Sequence, residues 1–188
     1  MDKIILASQS PRRKQLLEWA EVPFEIVVSE TDERFPPETE PEEVAVYIAR
    51  NKALAVQKLR PAGEVVLAAD TIVVLGDNII GKPVHREDAV SILLALSGEK
   101  HRVITGVVIR KDEKETAFAD VTEVEFHRIS VDEIEFYVDK YKPYDKAGAY
   151  AIQEWIGVIG IKAIHGDFYN VMGLPVSRVV RELHKIMG

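Results

Sequence analysis

Short apolar runs alternate with helix-period segments through the first half of the chain. Lys3–Ala7, KIILA, is an apolar run of strand length. Two serines and a proline interrupt it, and Pro11 suits the first turn of a helix, where its missing N–H costs nothing. That helix is predicted to end near Ala20, and Phe24–Val28 reads as a second strand. The chain then turns polar and acidic at SETDERFPPETEPEE, whose prolines exclude regular structure until Pro41 opens the next helix. The helical period over Pro41 to about Leu59 sets Val44, Ile48, Ala55 and Leu59 on one face, with Lys52 among them. EVVLAADTIVVLGDNII predicts a long strand, a turn at Gly76-Asp77-Asn78 and a short return strand.

In the second half, Arg86–Leu96 is amphipathic and stops before Gly98, a suitable C-cap. Two long strands, His101–Arg110 and Thr116–His127, flank the charged turn KDEKE. Ser130 is placed to cap a helix reaching about Lys140, and the loop KPYDKAGAYAIQEW leads to a predicted strand over Val158–Ile164. HGDFYNVMGLP reads as a loop before a last helix starting near Val176. Alternating strands and helices with a long central hairpin predict an α/β fold on a mixed sheet. No repeat or linker divides residues 1–188, which read as a single domain.

Composition narrows the function. A hydrophobic content of 47% and a charged content of 29% are those of an ordinary folded domain. The formal net charge of −7 argues against polymeric nucleic acid as the main partner, but leaves a small anion open, since that needs only a local positive cluster. The absence of cysteine excludes thiolate chemistry and fits a reducing, cytoplasmic compartment. No secretory segment is recognised at the N-terminus, and no apolar run approaches the roughly 20 residues that span a bilayer, so no membrane partner is expected.

Certain polar residues stand where packing logic wants apolar ones. Asp70, with Thr71, interrupts a run that is apolar from Val65 to Ala69 and again from Ile72 to Leu75. A carboxylate there must be paired, hydrogen-bonded or bound to a cation. Lys52 is the mirror image: it either snorkels to water or faces an anion. Arg12, Arg13 and Lys14 crowd a helix start, where the backbone already presents partial positive charge. Ser10 is an ordinary N-cap there, yet Ser8, Ser10, the free N–H groups and the arginine forks together would make a phosphate receptor. Neither a P-loop nor a dinucleotide fingerprint is present. Glu30, Asp32 and Glu33 offer a second oxygen ligand for a hard cation beside Asp70, and spacing does not choose among them. Lys82, in the turn GKP, is either a surface charge or a second phosphate lysine.

LASQSPRR, AADTIVVLGDNIIGKP, LSGEKHRVITGV, TEVEF, YDKAGAYAIQ and GDFYNVMGLP, in this order, resemble the Maf family across essentially the whole chain. The resemblance implies a fold related to that of inosine triphosphate pyrophosphatases: an elongated mixed sheet flanked by helices, with two lobes around a cleft. It implies a nucleoside triphosphate pyrophosphatase, releasing the monophosphate and diphosphate with help from a divalent cation (Mg2+, Mn2+ or Co2+). By matching positions, Asp70 is implied as general base, Glu33 with Asp70 as metal ligands, and Ser8, Arg13, Lys52 and Lys82 as the triphosphate path. Arg12, Thr71 and Gln153 match the branch acting on dTTP and UTP rather than the 7-methyl-GTP branch. A carboxamide such as Gln153 can both donate to and accept from the edge of uracil or thymine. One departure is Glu154-Trp155, where relatives often carry a Gly-rich turn; Trp155 either stacks on a base or packs in the core. A house-cleaning role against modified pyrimidine nucleotides is compatible with the same chemistry. A non-catalytic nucleotide sensor of cell division stays open beside it, and Val179, Val180 and Ile186 of the last helix suit a homodimer as easily as the core.

Overall fold

The computed structural model describes residues 1–188. Its elements are β1 (Ile4–Leu6), α1 (Pro11–Trp19), β2 (Phe24–Ile26), α2 (Pro41–Gln57), β3 (Val65–Leu75) and β4 (Asn78–Ile80). There follow α3 (Arg86–Leu96), β5 (Lys100–Lys111), β6 (Lys114–Phe126), α4 (Val131–Tyr141), α5 (Trp155–Gly160), β7 (Ile161–His165), α6 (Phe168–Met172) and α7 (Val176–Met187). The strands form one seven-stranded sheet in the order β2-β1-β3-β5-β6-β7, with β4 folded back on β3. β1 runs parallel to both β2 and β3, while β4 and β7 pair antiparallel with β3 and β6. The fold is therefore a mixed α/β sheet flanked by helices.

The chain divides into two compact units: Met1–Thr71 with Thr105–Asp120 and Gly173–Gly188, and Ile72–Ile104 with Val121–Met172. In the first, side-chain alternation along β3 places Val66, Ala68 and Asp70 on one face. Val66 and Ala68 join Ile5, Ala7, Val108 and the α2 residues Ala49, Ala53 and Val56 in a buried cluster. Contact between α2 and β5 is close enough to require glycine at 106: an added Cβ would lie 2.2 Å from the carbonyl carbon of Ala45. In the second unit, Ser130 and Glu133 cap α4 reciprocally, as the sequence suggests. His101 is buried there against Phe126 and Tyr150, whose ring centroids lie 5.1 and 5.4 Å away in edge-on packing.

Three sequence expectations are corrected. The apolar run after Trp155 is split: Trp155–Gly160 is helix and only Ile161–His165 is strand. Val158 is exposed, so its hydrophobicity marks no buried strand; short apolar runs do not separate helix from strand by period. GDFYNVMGLP also contains a helical turn, α6, led by Asp167, whose carboxylate accepts from the N–H groups of Tyr169 and Asn170. On α2 the buried stripe runs through Val44, Ala45, Ile48, Ala49, Ala53 and Val56, while Leu59 lies beyond the helix end and is exposed. On the last helix, Val179 packs fully into the core.

Candidate active site

β1 stops at Leu6, opposite Leu67, while its neighbour β3 runs on to Leu75. Past the end of β1 the chain turns through Ser8, Gln9 and Ser10 into α1. Ligands in parallel α/β sheets gather at the carboxyl ends of strands, which is where these residues lie. Ser10 caps α1 by accepting from the Arg13 N–H at 3.4 Å, and Pro11 occupies the first helical position. The Ser8 hydroxyl accepts from the Ser10 N–H at 3.2 Å, so the turn is closed by its own side chains.

That turn carries Arg13 inward. The side chain is buried, with 9% relative exposure, and its direct partners are neutral oxygens. Nε donates to the Gly173 carbonyl at 2.7 Å, Nη1 to the Ser8 hydroxyl at 3.2 Å and Nη2 to the Thr71 hydroxyl at 2.9 Å. Burial pulls its pKa down to about 10, against the pull of the nearby Asp70 charge, so the group stays protonated at neutral pH. A buried cation held only by neutral acceptors is costly by itself. A guanidinium has five N–H donors, and these three bonds leave one on each terminal nitrogen.

On the α2 face of β3, Asp70 meets Lys52. The Lys52 ammonium donates to Asp70 Oδ1 at 2.8 Å and lies 3.0 Å from Glu33 Oε1. Side-chain exposures of 14% for Asp70 and 20% for Lys52, against 55% for Glu33, place the pair at the inner end and Glu33 at the rim. Of the acidic-loop residues, Glu33 is thus the one joined to Asp70 through a shared cation, whereas Asp32 turns to Arg34. Lys52 does not snorkel to water as a lone charge; it is paired on both sides.

Two groups of sequence candidates therefore converge in the first unit: Ser8, Arg13 and Thr71 in one network, and Glu33, Lys52 and Asp70 in the other. Arg12, half-exposed, is beside Arg13 on α1. Lys82 and Gln153 are exposed residues of the second unit. Their two segments are tied together there, the Gly148 N–H donating to the Gly81 carbonyl at 3.2 Å. Gly148 takes φ +70°, and a Cβ on it would stand 2.9 Å from Val73 Cγ2, so glycine is required. Tyr137 anchors the segment before α5, its hydroxyl donating to Glu154 at 2.7 Å and accepting from the Ala151 N–H at 3.2 Å. Trp155 packs edge-on against Phe136, 4.9 Å between centroids. Two residues of the Arg13 network escaped the sequence reading, Thr105 and Gly173. Threonine is unremarkable in a strand, and a backbone carbonyl leaves no side-chain signature; the only available signal was the glycine before Leu174-Pro175.

Curated relatives align along nearly the whole chain. A dTTP/UTP pyrophosphatase of Parabacteroides distasonis is 50% identical over 182 residues, covering 96% of this chain and 94% of that one. One of Bacteroides thetaiotaomicron is 46% identical over 185 residues, covering 98% and 96%, and one of Bacillus mycoides 49% identical over 183 residues, covering 97% and 95%. The family model described as Maf-like protein matches residues 3–186. The match spans all but the first two and last two residues, and the chain belongs to the Maf family.

Proposed function

We propose that this chain hydrolyses nucleoside triphosphates, dTTP and UTP foremost, to the monophosphate and pyrophosphate, acting on the cytoplasmic nucleotide pool. The observation that carries the reading is the buried Arg13 guanidinium, bound only to neutral oxygens and keeping free donors, in the same unit as a carboxylate pair around Lys52. A triphosphate supplies the missing negative charge. The names of the relatives support the pyrimidine preference, and Arg12, Thr71 and Gln153 stand at the positions that the resemblance ties to it.

In this reading Asp70 accepts the proton of a water whose oxygen forms the new bond to the α-phosphorus. The bond from that phosphorus to the bridging oxygen breaks, and pyrophosphate departs with the electron pair. Arg13 and Lys52 neutralise charge on the phosphates, and Ser8 adds a hydroxyl contact. Glu33 and Asp70 suit a divalent cation: both are carboxylates, and both already reach for the Lys52 ammonium. A Mg2+-like ion usually takes one or two protein carboxylates and completes its shell with phosphate oxygens and water, so these two residues would hold it. Bound there, it would supply charge neutralisation on the phosphates.

The test is pyrophosphate release from a panel of nucleoside triphosphates with Mg2+ or Mn2+, by the wild type and by Asp70→Asn. Turnover of dTTP and UTP is expected, falling about 10^3-fold in the variant. Binding of the nucleotide without turnover in the wild type would sink the reaction and favour a sensor.

A further inference from the structure

Thr105 lies on β5 within the apolar run Val103–Ile109, fully buried. A hydroxyl there must be hydrogen-bonded, and its Oγ1 is 2.9 Å from Thr71 Oγ1. The Thr71 hydroxyl has one proton and two lone pairs. One lone pair takes the Arg13 Nη2 proton at 2.9 Å. The remaining neighbours are Thr105 Oγ1 and the Gly173 carbonyl, the latter at 3.4 Å and able only to accept. The Thr71 proton has two acceptors within the network, the Gly173 carbonyl and Thr105 Oγ1. Either threonine can donate to the other, and both arrangements hold the Thr71 oxygen between Thr105 and Arg13. Gly173 in turn accepts from Arg13 Nε, and holds φ +121°, a backbone conformation that side-chain-bearing residues rarely adopt.

We infer that Thr105 is a positioning residue for the Arg13 guanidinium, acting through the Thr71 hydroxyl that holds it. The inference rests on the phosphate-binding role proposed for Arg13. Ser8, Thr71 and Gly173 each hold a different nitrogen of the fork, which fixes the plane and direction of its two spare N–H groups. Thr105 orients the Thr71 oxygen that holds Nη2. A receptor fixed before the ligand arrives needs no reorganisation when it binds.

The experiment uses inorganic tripolyphosphate, which has the charge of the substrate and no base, with binding measured by calorimetry on the full chain. Thr105→Val and Thr71→Val should each weaken tripolyphosphate binding about tenfold, the size expected for one hydrogen bond to a charged group, while Thr105→Ser stays within about twofold of wild type. Thr105→Val should raise KM for dTTP and for dGTP by the same factor, leaving the ratio between the two nucleotides unchanged. In an Arg13→Met background, Thr105→Val should cost nothing further, because the group it positions is gone. Thermal melting checks that each variant is folded. The idea fails if Thr105→Val binds tripolyphosphate like wild type, if its loss persists undiminished without Arg13, or if Thr71→Val alters only the nucleotide ratio. A wild type that binds tripolyphosphate but turns over no nucleotide overturns the proposed reaction and leaves this positioning test intact.

Discussion

Arg13 in the first unit and His101 in the second are both bases carried into the interior, and the protein treats them in opposite ways. Around Arg13 the partners are a carbonyl and two hydroxyls, and the guanidinium keeps its proton. His101 is walled by the rings of Phe126 and Tyr150, its Nε2 is 2.6 Å from the Tyr150 hydroxyl, and its buried Nδ1 has no partner. Burial pushes its pKa down to about 4, so it is neutral at physiological pH. An imidazole can shed its charge to suit a dry site, whereas a guanidinium cannot. Burying histidine therefore serves packing, and burying arginine stores a charge for something else to meet.

The comparison breaks or holds at Arg13 first. Arg13→Met should reduce turnover on the order of 10^3-fold, as loss of a charge-stabilising donor does. Its melting temperature should be no lower than that of the wild type, because the variant removes a buried cation whose direct partners are all neutral while Ser8 and Thr71 keep their bonds to Ser10 and Thr105. A marked fall in melting temperature would make Arg13 a structural residue and erase the contrast.

His101 supplies the converse test, in stability rather than rate. Its folded pKa lies below its unfolded value of about 6.5, so the unfolded chain binds the proton more readily. Stability is then fully present above about pH 6.5 and is lost as pH falls towards about 4, by about 3 kcal/mol over that window. Urea midpoints at pH 7 and pH 4.5 measure it, and His101→Phe should flatten the slope between them without lowering turnover at pH 7. An equally steep slope in the variant would assign the acid sensitivity to other groups.

The smallest effect is expected at Ser8→Ala, which removes one of the three anchors of the Arg13 fork and the Ser10 contact. KM for the triphosphate should rise several-fold, corresponding to about 1 kcal/mol, with kcat little changed. A larger loss in kcat than in KM would mean that Ser8 touches the reacting phosphate.

The same contrast marks what could be read from the sequence. Asp70, Lys52 and the arginines after Pro11 were legible because each contradicts the packing pattern around it. His101 raised no alarm, since it opens a strand and histidine is tolerated there. Glu33 emerged from three equivalent acidic neighbours only when the fold brought Lys52 beside it. Thr105 and Gly173 were silent: one looks like any strand residue, the other contributes its backbone. The strand and helix order was legible because strand-length apolar runs and capping signals, such as Ser130 with Glu133, agree with one another. WIGVIG misled because a short apolar segment has no decisive period.

The bond between Arg13 and Gly173 spans 160 positions of the chain. At about 5–20 residues per second of synthesis, on the order of ten to thirty seconds separate the appearance of the guanidinium from that of its carbonyl partner. Once β3 has been made, the nascent protein can assemble β1, α1 and β3, with Ser8 and Thr71 in place, and still leave one nitrogen of the fork unheld. The fork is thus fully held only late on the ribosome, and the residue that completes it has no side chain at all.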